Sequence, residues 1–345
     1  MKNTFVAMSI VLFIWAGPAV TAQEKPTFAN YQDMRAHLGQ LFEQKRYAEA
    51  ASLLESVLDL FPENVLANTY NLAAARAYLG EADKAVAALE EGHRRGVFYG
   101  TWDLGAELWT PVKSSSRFDA FWKANEARIA EASRRATVKI EVETPAGYDP
   151  ARTYPLFIAL HGGGESIAEL KPLWTSDRLR GEFLTAFVQS TQVASMKGFH
   201  WQDETVTLRD LEEAYQRILR QYPVDRGRVI IGGFSSGGFG TFVAAFRNIF
   251  PVRGFFALCP AVPEAVRDED VKAAAGRGLR GTILTTELDQ RTDAQRAFAE
   301  RLKSLGLPVE FHIAPNIGHW FPEDFGARLD RAIGLILPDA PAPRR

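Results

Sequence analysis

The 345 residues are enough for two domains, and with 46% hydrophobic and 24% charged residues the composition is that of a globular protein, which excludes collagen-like, coiled-coil and wholly disordered chains. Lys and Arg number 40 against 42 Asp and Glu, a net charge of -2, so no global field draws the chain to nucleic acid or to an anionic membrane. Its single cysteine, Cys259, excludes an internal disulfide framework and any zinc site of paired CxxC type.

Residues 1–22 have the pattern of a cleaved export signal. Lys2 and the α-amino group form a positive start, an apolar stretch from Phe5 to Trp15 follows, and Gly17 and Pro18 break it. Val20, Thr21 and Ala22 then put short side chains where a signal peptidase cuts. The apolar run is shorter than the roughly 18–20 residues that span a bilayer. The expectation is an exported protein, periplasmic or secreted, with no stable membrane anchor after cleavage.

Residues 25–136 are expected to form an all-α region. The segment 45–50 (Lys-Arg-Tyr-Ala-Glu-Ala) returns 35 residues later as 80–85 (Gly-Glu-Ala-Asp-Lys-Ala), and Leu54 returns as Leu89. Alanine at 50 and 85 suits the close approach of antiparallel helices. A further, degenerate unit is expected from Trp102 through Phe118 and Trp122 to a helix ending near Ala136. Two uses of this region stand open: a small groove for a protein or peptide partner, or an appendage that packs on the main domain and shapes its mouth.

Residues 137–337 alternate strand and helix. Val138, Ile140 and Val142 alternate with Lys139, Glu141 and Glu143, the period-two mark of a strand with one wet face. Short apolar runs follow at 156–160, 184–189, 228–234, 254–258, 282–286 and 309–314, as suits strands buried on both faces of a mainly parallel sheet. Helical periodicity covers 208–221 and 294–305. The fold class expected is therefore α/β, a doubly wound mainly parallel sheet, with ligand chemistry at the carboxyl ends of its strands. The Pro- and Ala-rich tail 338–345 is expected to be disordered.

Three strand ends carry reactive residues. Gly233-Phe234-Ser235-Ser236-Gly237 closes the 228–234 run as a G-x-S-x-G sequence; a serine on a sharp strand-to-helix turn needs flanking glycines because strand and helix come too close for a Cβ. Ser235 has the symmetric glycine spacing and Ser236 lacks it, so Ser235 is the expected nucleophile. His161-Gly162-Gly163-Gly164 follows the 156–160 run, and the amides of Gly162 and Gly163, with that of Ser236, are the expected oxyanion hole. Of the six histidines, His319 follows the last strand and is the expected base, while His161 braces its own loop. Asp289 is the expected acid, with Glu287 and Asp293 as rivals. Trp201 and Trp320 are candidate pocket walls. His200, Asp203 and Glu204 are considered as metal ligands and set aside as an ordinary polar loop, and Cys259 is taken as a buried strand end.

The order Ser235, Asp289, His319 resembles that of the α/β-hydrolases, and residues 137–337 are similar to their esterase branch, the phospholipase/carboxylesterase and polyhydroxyalkanoate-depolymerase-like esterases. The stretch from Tyr222 to Val229 leading into Gly233–Gly238 carries this likeness, with departures: Ser236 stands where acyl-protein thioesterases usually have Gln and prolyl-oligopeptidase-like peptidases usually have Tyr, and Thr286 replaces the glycine of the usual Gly-x-x-Asp turn. Residues 31–96 look like tetratricopeptide-type helical hairpins. The resemblance implies an exported serine hydrolase acting on a small-molecule carboxylic ester, with no metal or organic cofactor; a serine peptidase and a non-catalytic binding protein are the alternatives.

Overall fold

The computed structural model describes residues 28–100, 107–264 and 266–338. The export-signal segment 1–22, Trp102 and nearly all of the 338–345 tail lie outside them.

The N-terminal helices are α1 (Tyr31–Glu43), α2 (Tyr47–Val57), α3 (Val65–Tyr78) and α4 (Ala82–Arg94). They form two helical hairpins offset by the 35 residues seen in the sequence. The offset extends to the backbone: Lys45 and Gly80 both turn the corner with positive φ, 56° and 73°. Ala50 and Ala85, and Leu54 and Leu89, are all fully buried in one separate apolar core. Among the described residues no third hairpin of equal arms is formed. In its place stand the four-residue α5 (Thr110–Lys113) and the long α6 (Phe118–Arg135). Asn125 of α6 ties this end together, its side chain bonding the His93 ring and both backbone groups of Tyr99.

The rest of the chain is an α/β sheet with helices on both faces. Its strands are β1 (Lys139–Glu143), β2 (Tyr154–Leu160), β3 (Leu184–Gln189), β4 (Val224–Phe234), β5 (Gly254–Leu258), β6 (Arg280–Thr286) and β7 (Val309–Ala314). Their spatial order is β1-β3-β2-β4-β5-β6-β7; β1 pairs antiparallel with β3, and the other pairs are parallel. The strand pleat sends alternate residues to opposite faces. Leu156, Ile158 and Leu160 meet one apolar cluster with α9 (Glu204–Gln221), α10 (Ser236–Arg247), α11 (Asp268–Gly276) and α12 (Thr292–Ser304). Phe157 and Ala159 meet the other, with α7 (Ile167–Leu170), α8 (Asp177–Glu182) and α13 (Phe325–Ile336).

Register places the chemistry. Leu160 stands beside Gly233, Phe234 beside Leu258, and Thr286 beside Ala314. The loops that leave these residues emerge along one edge of the sheet, so residues 161, 235, 289 and 319, remote in sequence, become neighbours.

Candidate active site

Ser235 lies between the last residue of β4 and the first of α10, with φ 54° and ψ -111°. A non-glycine residue with positive φ is strained, and the surroundings fix it there: its amide donates to Leu258 O at 3.0 Å, and its carbonyl accepts from Gly238 and Ala261. Glycine is required on both sides. A Cβ on Gly233 would stand 2.1 Å from Gly237 O, and one on Gly237 would stand 2.5 Å from Leu160 O and His161 O.

The loop after β2 is tied down rather than loose. Gly164 donates to Phe199 O, and Phe199 donates back to Glu165 O. The Gly162 amide donates to Glu165 Oε2 at 2.8 Å, which removes it from the expected oxyanion hole. Among the described residues the amides of Gly163 and Ser236 have no acceptor, and both residues line the same cavity as Ser235. The hole that remains is therefore a two-donor one. Burial raises the Glu165 carboxyl, against the lowering effect of the Gly162 amide. His161 is fully buried, bonded to Gly162 O and Ser190 N; burial pushes its ring down to about 4, so it stays neutral and braces the loop.

His319 and Asp289 meet. His319 Nδ1 donates to Asp289 Oδ2 at 2.7 Å, and the ring stacks on Phe234 with centroids 4.8 Å apart. The Asp289 carboxylate is buried and surrounded by donors: the Arg291 amide at 3.0 Å and Nε at 3.4 Å on Oδ1, and the Gln295 amide at 3.4 Å on Oδ2. Burial alone would raise this carboxyl, but the Arg291 amide and the His319 proton outweigh it and hold it below the usual range. His319 is lowered, first by burial and also by the Arg291 charge, against the pull of Asp289. Neither rival acid is hydrogen-bonded to His319: Glu287 accepts from the Asn316 amide, and Asp293 stands in the first turn of α12. The turn before Asp289 closes without a glycine, because Thr286 keeps negative φ and its carbonyl accepts from the Asp289 amide and the Thr292 hydroxyl.

Gly163, Ser235, Ser236 and His319 line a cavity of about 340 Å³. Trp201, fully buried, is one of its walls. Trp320 is not: it is 48% exposed and packs edge-on against Phe234 and Phe321, outside the cavity. Phe239, Ala261, Gln202 and Arg291 complete the lining among the described residues. All of these fall between 163 and 319, so the described N-terminal helices supply none of the wall.

Arg291 was not read from the sequence, where nothing but its place two residues after Asp289 marks it. Its Nη2 lies 2.7 Å from His319 Nε2 and 2.8 Å from Nδ1. Nearly equal distances to both ring nitrogens set the guanidinium nitrogen against the face of the ring, whereas the Nε2 lone pair lies in the ring plane and points away from Nδ1. No hydrogen bond joins Ser235 Oγ to His319 in this arrangement.

Among the described residues, Cys259, Asp289 and His319 hold their ligand atoms within 4.8 Å of one another. The thiol bonds Thr286 Oγ1 and is pushed up to about 11 by burial, whereas a metal binds thiolate. The cluster reads as an acid–base pair with a protonated thiol behind it. His200, Asp203 and Glu204 do not converge: Asp203 caps α9 through the Val206 amide and Glu204 pairs with Arg247.

No family model matches the chain, and no curated protein does. Solved structures do. An uncharacterized protein from Bacillus cereus ATCC 10987 is 24% identical, over 90% of this chain and all of that one, with a TM-score of 0.52; the likeness is one of fold. Esterase PE8 (17% identity, 59% of this chain and 99% of that one, TM-score 0.46) and the esterase Est2 of Thermogutta terrifontis (16%, 61% and 91%, 0.47) also match. At these scores the chemistry has to be argued from the site itself.

Proposed function

We propose that this protein is a serine hydrolase of the α/β-hydrolase kind that cleaves carboxylic esters through Ser235, His319 and Asp289. The observation that carries the reading is the buried Asp289 carboxylate on Nδ1 of His319, whose ring lines the cavity together with a strained serine and two unpaired amides. Asp289 fixes the tautomer that leaves Nε2 as the proton acceptor. Nε2 takes the Ser235 hydroxyl proton as Oγ attacks the ester carbonyl. The Gly163 and Ser236 amides hold the oxyanion. The bond to the leaving alcohol breaks as the imidazolium returns its proton to that oxygen. Water, deprotonated by the same ring, then attacks the acyl-enzyme, and collapse releases the acid and restores Ser235.

Esters are favoured over bulky lipids by the small open cavity and by what borders it. The segment between Ala261 and β6 is short, and α11 within it packs against α10, with Arg247 bonded to Asp270, which leaves this segment too little chain for a long hydrophobic lid. Export is part of the proposal and rests on residues 1–22; N-terminal sequencing of the mature protein reads it. The tetratricopeptide reading of residues 31–94 rests on the 35-residue offset.

A fluorophosphonate probe should form an adduct at Ser235, and short p-nitrophenyl esters should be hydrolysed at rates that Ser235→Ala abolishes. Undiminished hydrolysis in Ser235→Ala, or no adduct on wild type, would overturn the assignment. Peptide amides cleaved faster than esters would replace the ester chemistry with a peptidase's.

A further inference from the structure

We infer that the ester this site selects carries a carboxylate, that Arg291 binds it, and that this binding offsets the positive charge beside the base. The inference rests on the triad reading and adds what the substrate must look like. Arg291 is the one permanently charged residue among those lining the cavity. It sits at the N-cap of α12 and its side chain is 43% exposed, so the guanidinium faces solvent and cavity together. Its ion pair with Asp289 is long, 3.4 Å through Nε, onto a carboxylate already bonded to His319. Nη1 has no partner among the described residues. The cavity thus holds a cation whose charge is only partly answered and whose fork is open.

That cation also opposes the chemistry. Nη2 lies 2.7 and 2.8 Å from the two ring nitrogens of His319, and a positive charge at this distance disfavours the imidazolium that forms as the serine attacks. A guanidinium keeps its charge and only donates, so a bound anion has to answer it. A carboxylate matches the fork with two parallel, charge-assisted hydrogen bonds. An anionic ester therefore offsets the charge beside the base as it binds, while a neutral ester leaves it in place.

The test compares p-nitrophenyl hexanoate with the p-nitrophenyl monoester of adipic acid, which has the same acyl length and a terminal carboxylate. Wild type should show a kcat/KM about ten- to a hundredfold higher for the anionic ester, the range of one charge-assisted pair, and the preference should shrink as salt rises. Arg291→Met should abolish the preference and raise turnover of the neutral ester, because the charge that opposes the imidazolium is gone; Arg291→Lys should keep part of the preference. A wild-type enzyme that favours the neutral ester, or an Arg291→Met ratio equal to wild type, would overturn the inference. Fluorophosphonate labelling of Ser235 separates the two levels. Labelling without anion preference removes Arg291's role and leaves the triad, whereas no labelling and no hydrolysis of either ester removes both.

Discussion

Replacing Asp289 by asparagine tests the site at its most constrained atom. All four neighbours of the carboxylate are donors: the Arg291 amide and Nε on one oxygen, His319 Nδ1 and the Gln295 amide on the other. An asparagine must turn its own NH2 toward one of these pairs. Facing His319, the amide forces Nδ1 to accept, moves the ring proton to Nε2, and leaves no lone pair for Ser235. Facing Arg291 instead, it opposes the backbone amide that opens α12 and loses at least one charge-assisted bond of about 1.5–3 kcal/mol. In either case the negative charge that steadies the imidazolium is gone. The expected loss in kcat is about 10³–10⁴-fold, about 4–5.5 kcal/mol of transition-state stabilisation. Initial rates on p-nitrophenyl acetate, with urea denaturation of the same sample to verify folding, give the measurement. An Asp289→Asn protein that is folded and within tenfold of wild type would refute the argument that this carboxylate sets the tautomer.

The pH profile of kcat/KM should rise with pH and level off, because only neutral imidazole accepts the serine proton; its midpoint should fall below the ordinary histidine value of about 6.5, since burial and the Arg291 charge both disfavour the protonated ring. Arg291→Met should move that midpoint upward, and an unmoved midpoint would show that the charge does not reach the ring. Gly233→Ala should abolish hydrolysis and leave little folded protein, because its Cβ would collide with backbone, Gly237 C and O at 2.2 and 2.1 Å, which no rotamer change relieves; wild-type activity in this variant would contradict the elbow geometry. In the helical region, Gly92→Ala should cost about 2–5 kcal/mol in urea denaturation, because the new methyl would stand 1.9 Å from the hydroxyl of the fully buried Tyr99, which is bonded to Thr69. A loss below about 0.5 kcal/mol, within the range of an ordinary surface substitution, would mean that Tyr99 finds another seat.

The strands were legible because each is a property of a short stretch. Alternation in residues 138–143 and the apolar runs after it state which faces are buried, and burial on both faces requires helices on both sides. The strained turn at Ser235 was legible for the same reason: Gly233 and Gly237 are needed by a local turn, and its place after a buried run is local as well. The paired His319 and Asp289 were accessible through the rule that parallel strands deliver their loops to one edge. What only the tertiary structure decided is which donor reaches which acceptor. Gly162 was read with Gly163 as an oxyanion donor, yet a carboxylate three residues on takes its amide. Trp320, beside His319 in sequence, packs on Phe234 outside the cavity, while Arg291, with no motif to mark it, lies against the imidazole. Periodicity is fixed by the order of side chains along the chain, but a hydrogen bond is won by whichever partner the assembled loops bring within about 3 Å, and no spacing in the sequence encodes that competition.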